Sequence, residues 1–325
     1  MNSIRIHQHG GPSALQFDEL PIPEPLEQEV VLRVQAAGVN FIDVYQREGR
    51  YPVELPFTPG QEVVGEIVAM GSGAAAKVGE RALGFLRSGG YTEYVRVPTD
   101  RLIPLPEGLE PKVALAALVQ GMTAHFLTRD SYPVRPGDTV LVHAAAGGTG
   151  GLLVQFAKSA GARVIGTVSS ELKAELARAH GADEVIRYDQ QDFVAAVHAL
   201  TNGEGVQAVY DSVGKTTFDG SLESLRTRGT LVLFGASSGA VPAVDPLRLM
   251  RGSLFLTRPT LAHHVADRES LLARADDVLK MLRESVLRVR VSHEFALRDA
   301  ARAHETLEAR QSTGKVLLIP GEDGG

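Results

Sequence analysis

The chain has 325 residues, 44% hydrophobic and 22% charged, enough for about two domains with a packed core. Acidic residues outnumber basic ones, 39 against 33, and the net charge of -6 gives no reason to expect nucleic acid or an anionic membrane as partner. There is no cysteine, which excludes disulfides, thiolate catalysis and every cysteine-based zinc site; a site of histidines and carboxylates stays open.

The N-terminus, MNSIRIHQHGG, lacks the apolar core of a signal peptide, and no apolar run reaches membrane-spanning length, so a cytoplasmic location is expected. Short β-rich runs then alternate with Gly and Pro turns: EVVLRVQAAGV (29–39), EVVGEIVAM (62–70), RALGF (81–85) and YTEYVRV (91–97). They read as strands of an all-β domain. The character changes near Val113. From about residue 119 strands alternate with helices. The strands are TVLVHA (139–144), RVIGTV (163–168), EVIRY (184–188), AVYDS (208–212), TLVLFG (230–235) and SLFLT (253–257). Helix-like runs at 150–161, 170–181, 191–203 and 217–229 separate the first five. In the first run Leu152, Leu153, Phe156 and Ala157 fall at the helical spacing that packs on a sheet. This alternation specifies an α/β fold, a doubly wound parallel sheet with right-handed crossovers.

After the sixth strand, Leu271, Ala275, Val278, Leu279 and Leu282 share one face of an amphipathic helix. VRVSHEFAL, a helix around 298–309 and KVLLIP follow, and are expected to return to the β-domain. The nucleotide-binding unit, 119–258, is then an insert in a domain made of 1–118 and 259–325. The terminal GEDGG is expected to fray.

HAAAGGTGG (143–151) joins the first strand of the insert to its first helix. A dinucleotide needs a turn whose backbone approaches the pyrophosphate, with helix N–H groups aimed at the charge. Gly147, Gly148 and Gly150, with Thr149 among them, fit that need through an A-x-x-G-x-x-G pattern that begins at Ala144. The other reading is a tightly packed structural turn. At the end of the second strand an Asp or Glu would repel a 2′-phosphate. Here Ser169 and Ser170 occupy the tip and Lys173 follows one turn later, so the cofactor reads as NADP(H). Two alternatives stay open: Glu171 could point inward, and Lys173 could be a solvated helix lysine.

The motifs GVNFIDVYQREGRYP (38–52), QGMTAHFL (120–127), VHAAAGGTGGLLVQFAK (142–158), VYDSVG (209–214), FGASSG (234–239), GSLFLTRPTL (252–261) and GKVLLIP (314–320) run nearly end to end. On them the chain resembles the zeta-crystallin-type quinone oxidoreductases of the medium-chain dehydrogenase/reductase superfamily. The resemblance implies a Rossmann domain beside a GroES-like β-domain, an active site in the interdomain cleft, and a homodimer or a tetramer of dimers. It also implies NADPH-dependent, zinc-independent reduction of quinones and often of other conjugated carbonyls. The segment SLFLTRPT resembles the sheet-edge element that joins subunits.

By the same resemblance Asn40, Phe41, Ile42, Asp43 and Tyr45 line the nicotinamide end of the site, with Tyr51 nearby and Thr123 close to the nicotinamide. Asn40, Tyr45 and Tyr51 are the catalytic candidates. Ser169, Lys173 and Tyr188 match the adenosine-phosphate contacts, with Ser170 beside them. Ser212, Phe234, Gly235, Ser237 and Ser238 lie at the ends of later strands, and Arg310 is a looser match. Each has a plain structural reading too: Tyr45 and Tyr51 as packed tyrosines, Asn40 as a loop anchor, Thr123 as a turn or cap hydroxyl, Phe234 as core. The stretch PGQEVVGEIVAMGSG (59–73) resembles the zinc-ligand segment of many alcohol dehydrogenases, but Gln61 stands where they place a histidine, and Asn40 where they place a cysteine. Glu62 either reaches the cleft or anchors its loop.

Reduction of a quinone needs a hydride donor, an apolar slot, stabilisation of charge on oxygen, and a proton. Asn40 or a tyrosine hydroxyl fits the third task. Tyr45, or solvent, fits the fourth. Three rivals remain: an NADPH-dependent reductase of enones or other activated alkenes, a non-catalytic NADPH-binding protein, and a zinc alcohol dehydrogenase, against which the missing cysteines argue.

Overall fold

Strand and helix boundaries follow the apolar periodicity closely in the computed structural model, which describes residues 1–321; the rest of the GEDGG tail lies outside the described residues. An antiparallel pair, β1 (Asn2–Ile6) and β2 (Leu15–Glu19), opens the chain. Then come β3 (Glu29–Val39), α1 (Phe41–Arg47), β4 (Glu62–Met70), β5 (Arg81–Phe85), β6 (Tyr94–Pro98), β7 (Leu102–Pro104) and α2 (Pro111–Phe126). The alternating part is β8 (Thr139–His143), α3 (Gly148–Ser159), β9 (Arg163–Val168), α4 (Glu171–Ala179), β10 (Glu184–Arg187), α5 (Phe193–Leu200), β11 (Val206–Asp211), α6 (Phe218–Glu223), β12 (Leu225–Leu233), β13 (Phe255–Thr257) and α7 (Leu261–His264). The chain closes with α8 (Arg268–Arg283), β14 (Val291–Ala296), α9 (Ala300–Glu308) and β15 (Lys315–Ile319).

Two compact units result. The first comprises Met1–Val119, Asp267–Arg283 and the chain from Val289 on; the second comprises Gln120–Ala266 with Glu284–Arg288. In the first unit a seven-stranded sheet runs β14-β15-β3-β4-β5-β7, with β6 also paired to β3. Its core includes Ile4, Leu32, Val63, Ile67, Tyr91, Val97 and Leu318. Each such large apolar side chain stabilises the fold by about 1.5–3 kcal/mol relative to exposure. In the second unit a six-stranded sheet has the order β10-β9-β8-β11-β12-β13, and its neighbouring strands pair parallel. This is the doubly wound order, whose ligand end lies at the carboxyl ends of the strands.

One expected element is shorter. The run 217–229 is helical only over Phe218–Glu223, and Leu225 already starts β12. Leu225 is buried and pairs with Val206, so sheet pairing overrides the helical look of its polar neighbours.

Candidate active site

Three adjacent strands of the first unit bring Asn40, Glu62 and Lys315 together. β15 pairs with β3 so that Val316 faces Val39, and β3 pairs with β4 so that Ala37 faces Val63. Lys315 Nζ donates to Asn40 Oδ1 at 2.8 Å and also to Glu62 Oε1. Asn40 Nδ2 donates to the same Glu62 oxygen at 2.9 Å. The other Glu62 oxygen accepts the Val119 N–H at 2.9 Å. Glu62 and Lys315 are fully buried, and Asn40 is 8% exposed. Glu62 is therefore an internal anchor. Gly38 is required beside it: a Cβ there would stand 2.4 Å from Glu62 Oε1. Gln61 is half-buried, and its amide donates to the Arg87 carbonyl at 3.4 Å.

α1 carries Phe41, Ile42, Asp43 and Tyr45, and its start is fixed by Asp43, whose carboxylate accepts the Asn40 N–H at 2.8 Å. The side chain of Asp43 is turned inward. It accepts the Tyr91 hydroxyl at 3.0 Å and the Gly60 N–H at 3.2 Å and has no exposure, so it shapes the helix start rather than offering a carboxylate to a ligand. Burial pushes its pKa up to about 6, against the opposing pull of those hydrogen bonds. Tyr91 also meets His304 Nε2 at 3.2 Å, and His304 Nδ1 meets Arg47 Nη1 at 3.2 Å. Burial, helped by the Arg47 charge, lowers His304 to about 3. Arg47, itself buried, is neutralised by Glu308 at 2.6 Å.

Tyr45 is buried at 5% exposure, between Phe41 (centroids 6.1 Å apart) and Tyr51 (5.4 Å), with the Arg50 guanidinium 4.9 Å over its ring. Tyr51 is exposed, and Phe41 and Ile42 are half-buried. These residues form one cluster around α1.

In the second unit Gly147 is the N-cap of α3, with Gly148, Thr149 and Gly150 in the first turn. The three glycines differ in role. A Cβ on Gly150 would fall 2.1 Å from the Ala144 carbonyl, and one on Gly148 would fall 2.1 Å from the Gln120 side chain, so both absences serve internal packing. Gly147 would meet only that carbonyl, at 3.2 Å, which leaves its other side open to a ligand. Ala144 holds φ at 51°, the left-handed conformation that turns the chain out of β8. Thr123, on α2, is half-buried.

At the tip of β9, Ser170 caps α4 by accepting the Lys173 N–H at 3.4 Å, and Lys173 Nζ donates to Ser169 Oγ at 3.4 Å. Tyr188 joins them, its N–H bonded to the Val168 carbonyl at 3.1 Å and its ring exposed. Glu171 points elsewhere: it pairs with Arg178 and Arg187, each at 3.2 Å, and those arginines lower its pKa. The carboxylate that could have opposed a 2′-phosphate is thus turned to solvent.

Ser212, Phe234, Gly235, Ser237 and Ser238 gather beyond β11 and β12. Ser237 N–H donates to the Ser212 carbonyl at 3.2 Å, and a Cβ on Gly235 would fall 2.3 Å from that oxygen. Ser238 Oγ is committed to the Val213 carbonyl at 2.8 Å. Phe234 is half-buried rather than a full core residue. Asp211 holds this region: it accepts the Val213 and Gly214 N–H groups and the hydroxyls of Thr217 and Ser221. Ser221 meets His143 Nε2 at 3.0 Å, and Thr167 meets His143 Nδ1 at 2.8 Å. Arg310 follows α9 in the first unit, exposed and with φ at 58°, and so belongs to a different unit from Ser169, Lys173 and Tyr188.

Lys315, Tyr91, His304, Arg47 and the Asp211 network are not singled out by sequence motifs. Lys315 had a signal: a lone charge opening the apolar run VLLI. The others connect residues too distant in sequence for spacing to show. Among the described residues no group of three His, Cys, Asp or Glu is placed to hold a metal ion.

A parallel nucleotide-type sheet and a separate mixed β-unit define the class, a two-domain dinucleotide-dependent oxidoreductase. Comparison with known proteins agrees. Residues 26–107 match the alcohol dehydrogenase GroES-like domain, and residues 148–277 match the family model described as zinc-binding dehydrogenase. A quinone oxidoreductase of Pseudomonas aeruginosa is 42% identical over 98% of this chain and 99% of its own length. A 2-haloacrylate reductase of a Burkholderia species is 40% identical over 97% and 98%. The crystal structure of Escherichia coli quinone oxidoreductase, complexed with NADPH, superposes with a TM-score of 0.96 at 39% identity, covering 98% of this chain and all of that one. The chain belongs to the quinone oxidoreductase family of the medium-chain dehydrogenase/reductase superfamily.

Proposed function

We propose that this protein reduces quinones with NADPH, by hydride transfer and without zinc. The observation that carries the cofactor choice is the tip of β9. Ser169, Ser170 and Lys173 cluster there while Glu171 is drawn away by two arginines. That is a cationic, hydroxyl-rich place from which Glu171 is turned away, suited to a 2′-phosphate. Quinones as substrates are supported by the relatives' names.

The second unit, with 119–258 as its functional extent, holds the cofactor. Gly147 and Thr149 present the amides at the start of α3 to the pyrophosphate. Tyr188 stacks near the adenosine end, and Ser212, Gly235 and Ser237 bound the nicotinamide end, together with Thr123. Arg310 is an outlying contact. When bound, NADPH supplies the hydride. The first unit, 1–118 and 259–325, handles the acceptor. Asn40 donates a hydrogen bond to the acceptor oxygen as negative charge develops there. Phe41, Ile42 and Tyr51 exclude water, and the Tyr45 hydroxyl returns a proton. A quinone is already electrophilic and does not require a Lewis acid.

A second reading, reduction of activated alkenes, is favoured by the similarity to the haloacrylate reductase. Side-by-side turnover of a simple quinone and a simple enone decides between the two. A homodimer is part of the proposal: β13 is an edge strand, and Phe255 on it and Leu247 and Met250 before it are exposed. A cytoplasmic location belongs to the same reading.

A further inference from the structure

An amide has a donor end and an acceptor end, and Asn40 sits between two charges. Its oxygen faces the Lys315 ammonium at 2.8 Å, and its nitrogen faces Glu62 at 2.9 Å. Rotating the amide by half a turn would set NH₂ against the ammonium and oxygen against the carboxylate. Both contacts would then be repulsive, in a place where Lys315 and Glu62 have no solvent to screen them. The ion pair therefore permits one orientation only. In it, the acceptor end is consumed. The nitrogen carries two protons, of which one goes to Glu62. The other has no acceptor among the described residues, and Asn40 keeps a small exposed surface.

We infer that Lys315, with Glu62, is the positioning residue that fixes Asn40 as a hydrogen-bond donor toward the substrate oxygen. The inference rests on the reading of Asn40 as the group that meets that oxygen. It goes further in making donation obligatory: an asparagine free to rotate would present acceptor and donor alike. The internal ammonium also selects the substrate. An oxygen that gains negative charge, as in a quinone or a conjugated carbonyl, is matched. A substrate that must donate a proton to this position is rejected.

The test uses the full-length protein. Glu62→Gln with Lys315→Met removes both charges together, so neither is left buried alone. The expected result is unchanged NADPH affinity and acceptor KM, with kcat for a quinone lowered ~10-fold or more. Asn40→Ala alone lowers kcat ~100-fold, and in the double-variant background the total loss stays near ~100-fold instead of multiplying to ~1000-fold, because the two changes act on one function. A merely structural role would instead lower thermal stability and NADPH affinity, and the effects would add. If Asn40→Ala lowers kcat while the double variant keeps it, the inference is overturned and the proposed function stands. If Asn40→Ala leaves kcat intact, the donor role itself falls. A further readout needs neither variant nor turnover. In ¹⁵N-labelled wild-type protein the two Asn40 amide protons should differ, one protected from exchange by Glu62 and one exchanging. Equal exchange of both contradicts the inference.

Discussion

Tyr91 donates its hydroxyl proton to the carboxylate of Asp43 at 3.0 Å. The direction is set from the far end of the chain. Arg47 donates to His304 Nδ1, so the neutral imidazole carries its proton on Nε2 and donates it to the Tyr91 oxygen. Asp43 in turn accepts from the Asn40 backbone, so the start of α1 is tied to a buried line that ends at Arg47.

That line makes stability depend on pH in two opposing ways. Asp43 is raised from 3.8 to about 6, so its protonated form is favoured in the fold: its contribution is complete below 3.8 and is lost as pH rises to about 6. His304 is lowered from 6.5 to about 3, so its neutral form is favoured: its contribution is complete above 6.5 and is lost as pH falls to about 3. At ~1.4 kcal/mol per pKa unit each is worth a few kcal/mol, and they oppose between about pH 4 and 6. Relative to wild type, His304→Gln should lose stability as pH rises through that window, and Asp43→Asn should gain it. Urea unfolding at about pH 4 and pH 6 reads both signs; parallel curves for the two variants would contradict the assignment.

Lys173→Ala should weaken NADPH binding by about 10- to 100-fold, the worth of one charge-assisted hydrogen bond to phosphate. NADH binding should change little. Titration of both cofactors against wild type and variant measures this, and an equal loss for both would remove the 2′-phosphate assignment.

Gly38→Ala should cost ~3 kcal/mol or more. The added methyl would press on Glu62 Oε1 and displace a carboxylate that holds Lys315, Asn40 and the Val119 N–H at once. Gly150→Ala should act differently, disturbing the Ala144 turn and therefore NADPH affinity as well as stability. Thermal denaturation with and without NADPH separates the two.

Much of this architecture is legible in the chain, because periodicity is local. β4, Glu62–Met70, is the run EVVGEIVAM itself, and α8 buries Leu271, Ala275, Val278, Leu279 and Leu282 as their spacing requires. The β9 tip was legible too, since Ser169, Ser170 and Lys173 are neighbours in sequence. What spacing could not show was the partner of each polar group. Glu62 could be named but not placed, because its counter-charge arrives on β15 at the other end of the chain. The glycines of the phosphate turn admit two readings in the sequence, space for a ligand and a tightly packed turn; Gly148 and Gly150 make room for Gln120 and the Ala144 carbonyl. Asp43, expected at the cofactor, faces inward because Tyr91 and the Gly60 amide converge on it.

Tyr45→Phe should lower kcat at saturating quinone by ~10-fold or more, if its hydroxyl is the proton source. The ring keeps its place between Phe41 and Tyr51, so the variant should fold. Stopped-flow NADPH oxidation measures it; unchanged turnover would assign the proton to solvent.

NADPH-dependent quinone reduction is tested most directly by NADPH oxidation by the purified protein with a simple quinone, in parallel with NADH and with a metal chelator. Turnover should strongly prefer NADPH and be indifferent to the chelator. NADPH that binds without being oxidised by any quinone, or activity that the chelator abolishes and zinc restores, would contradict it.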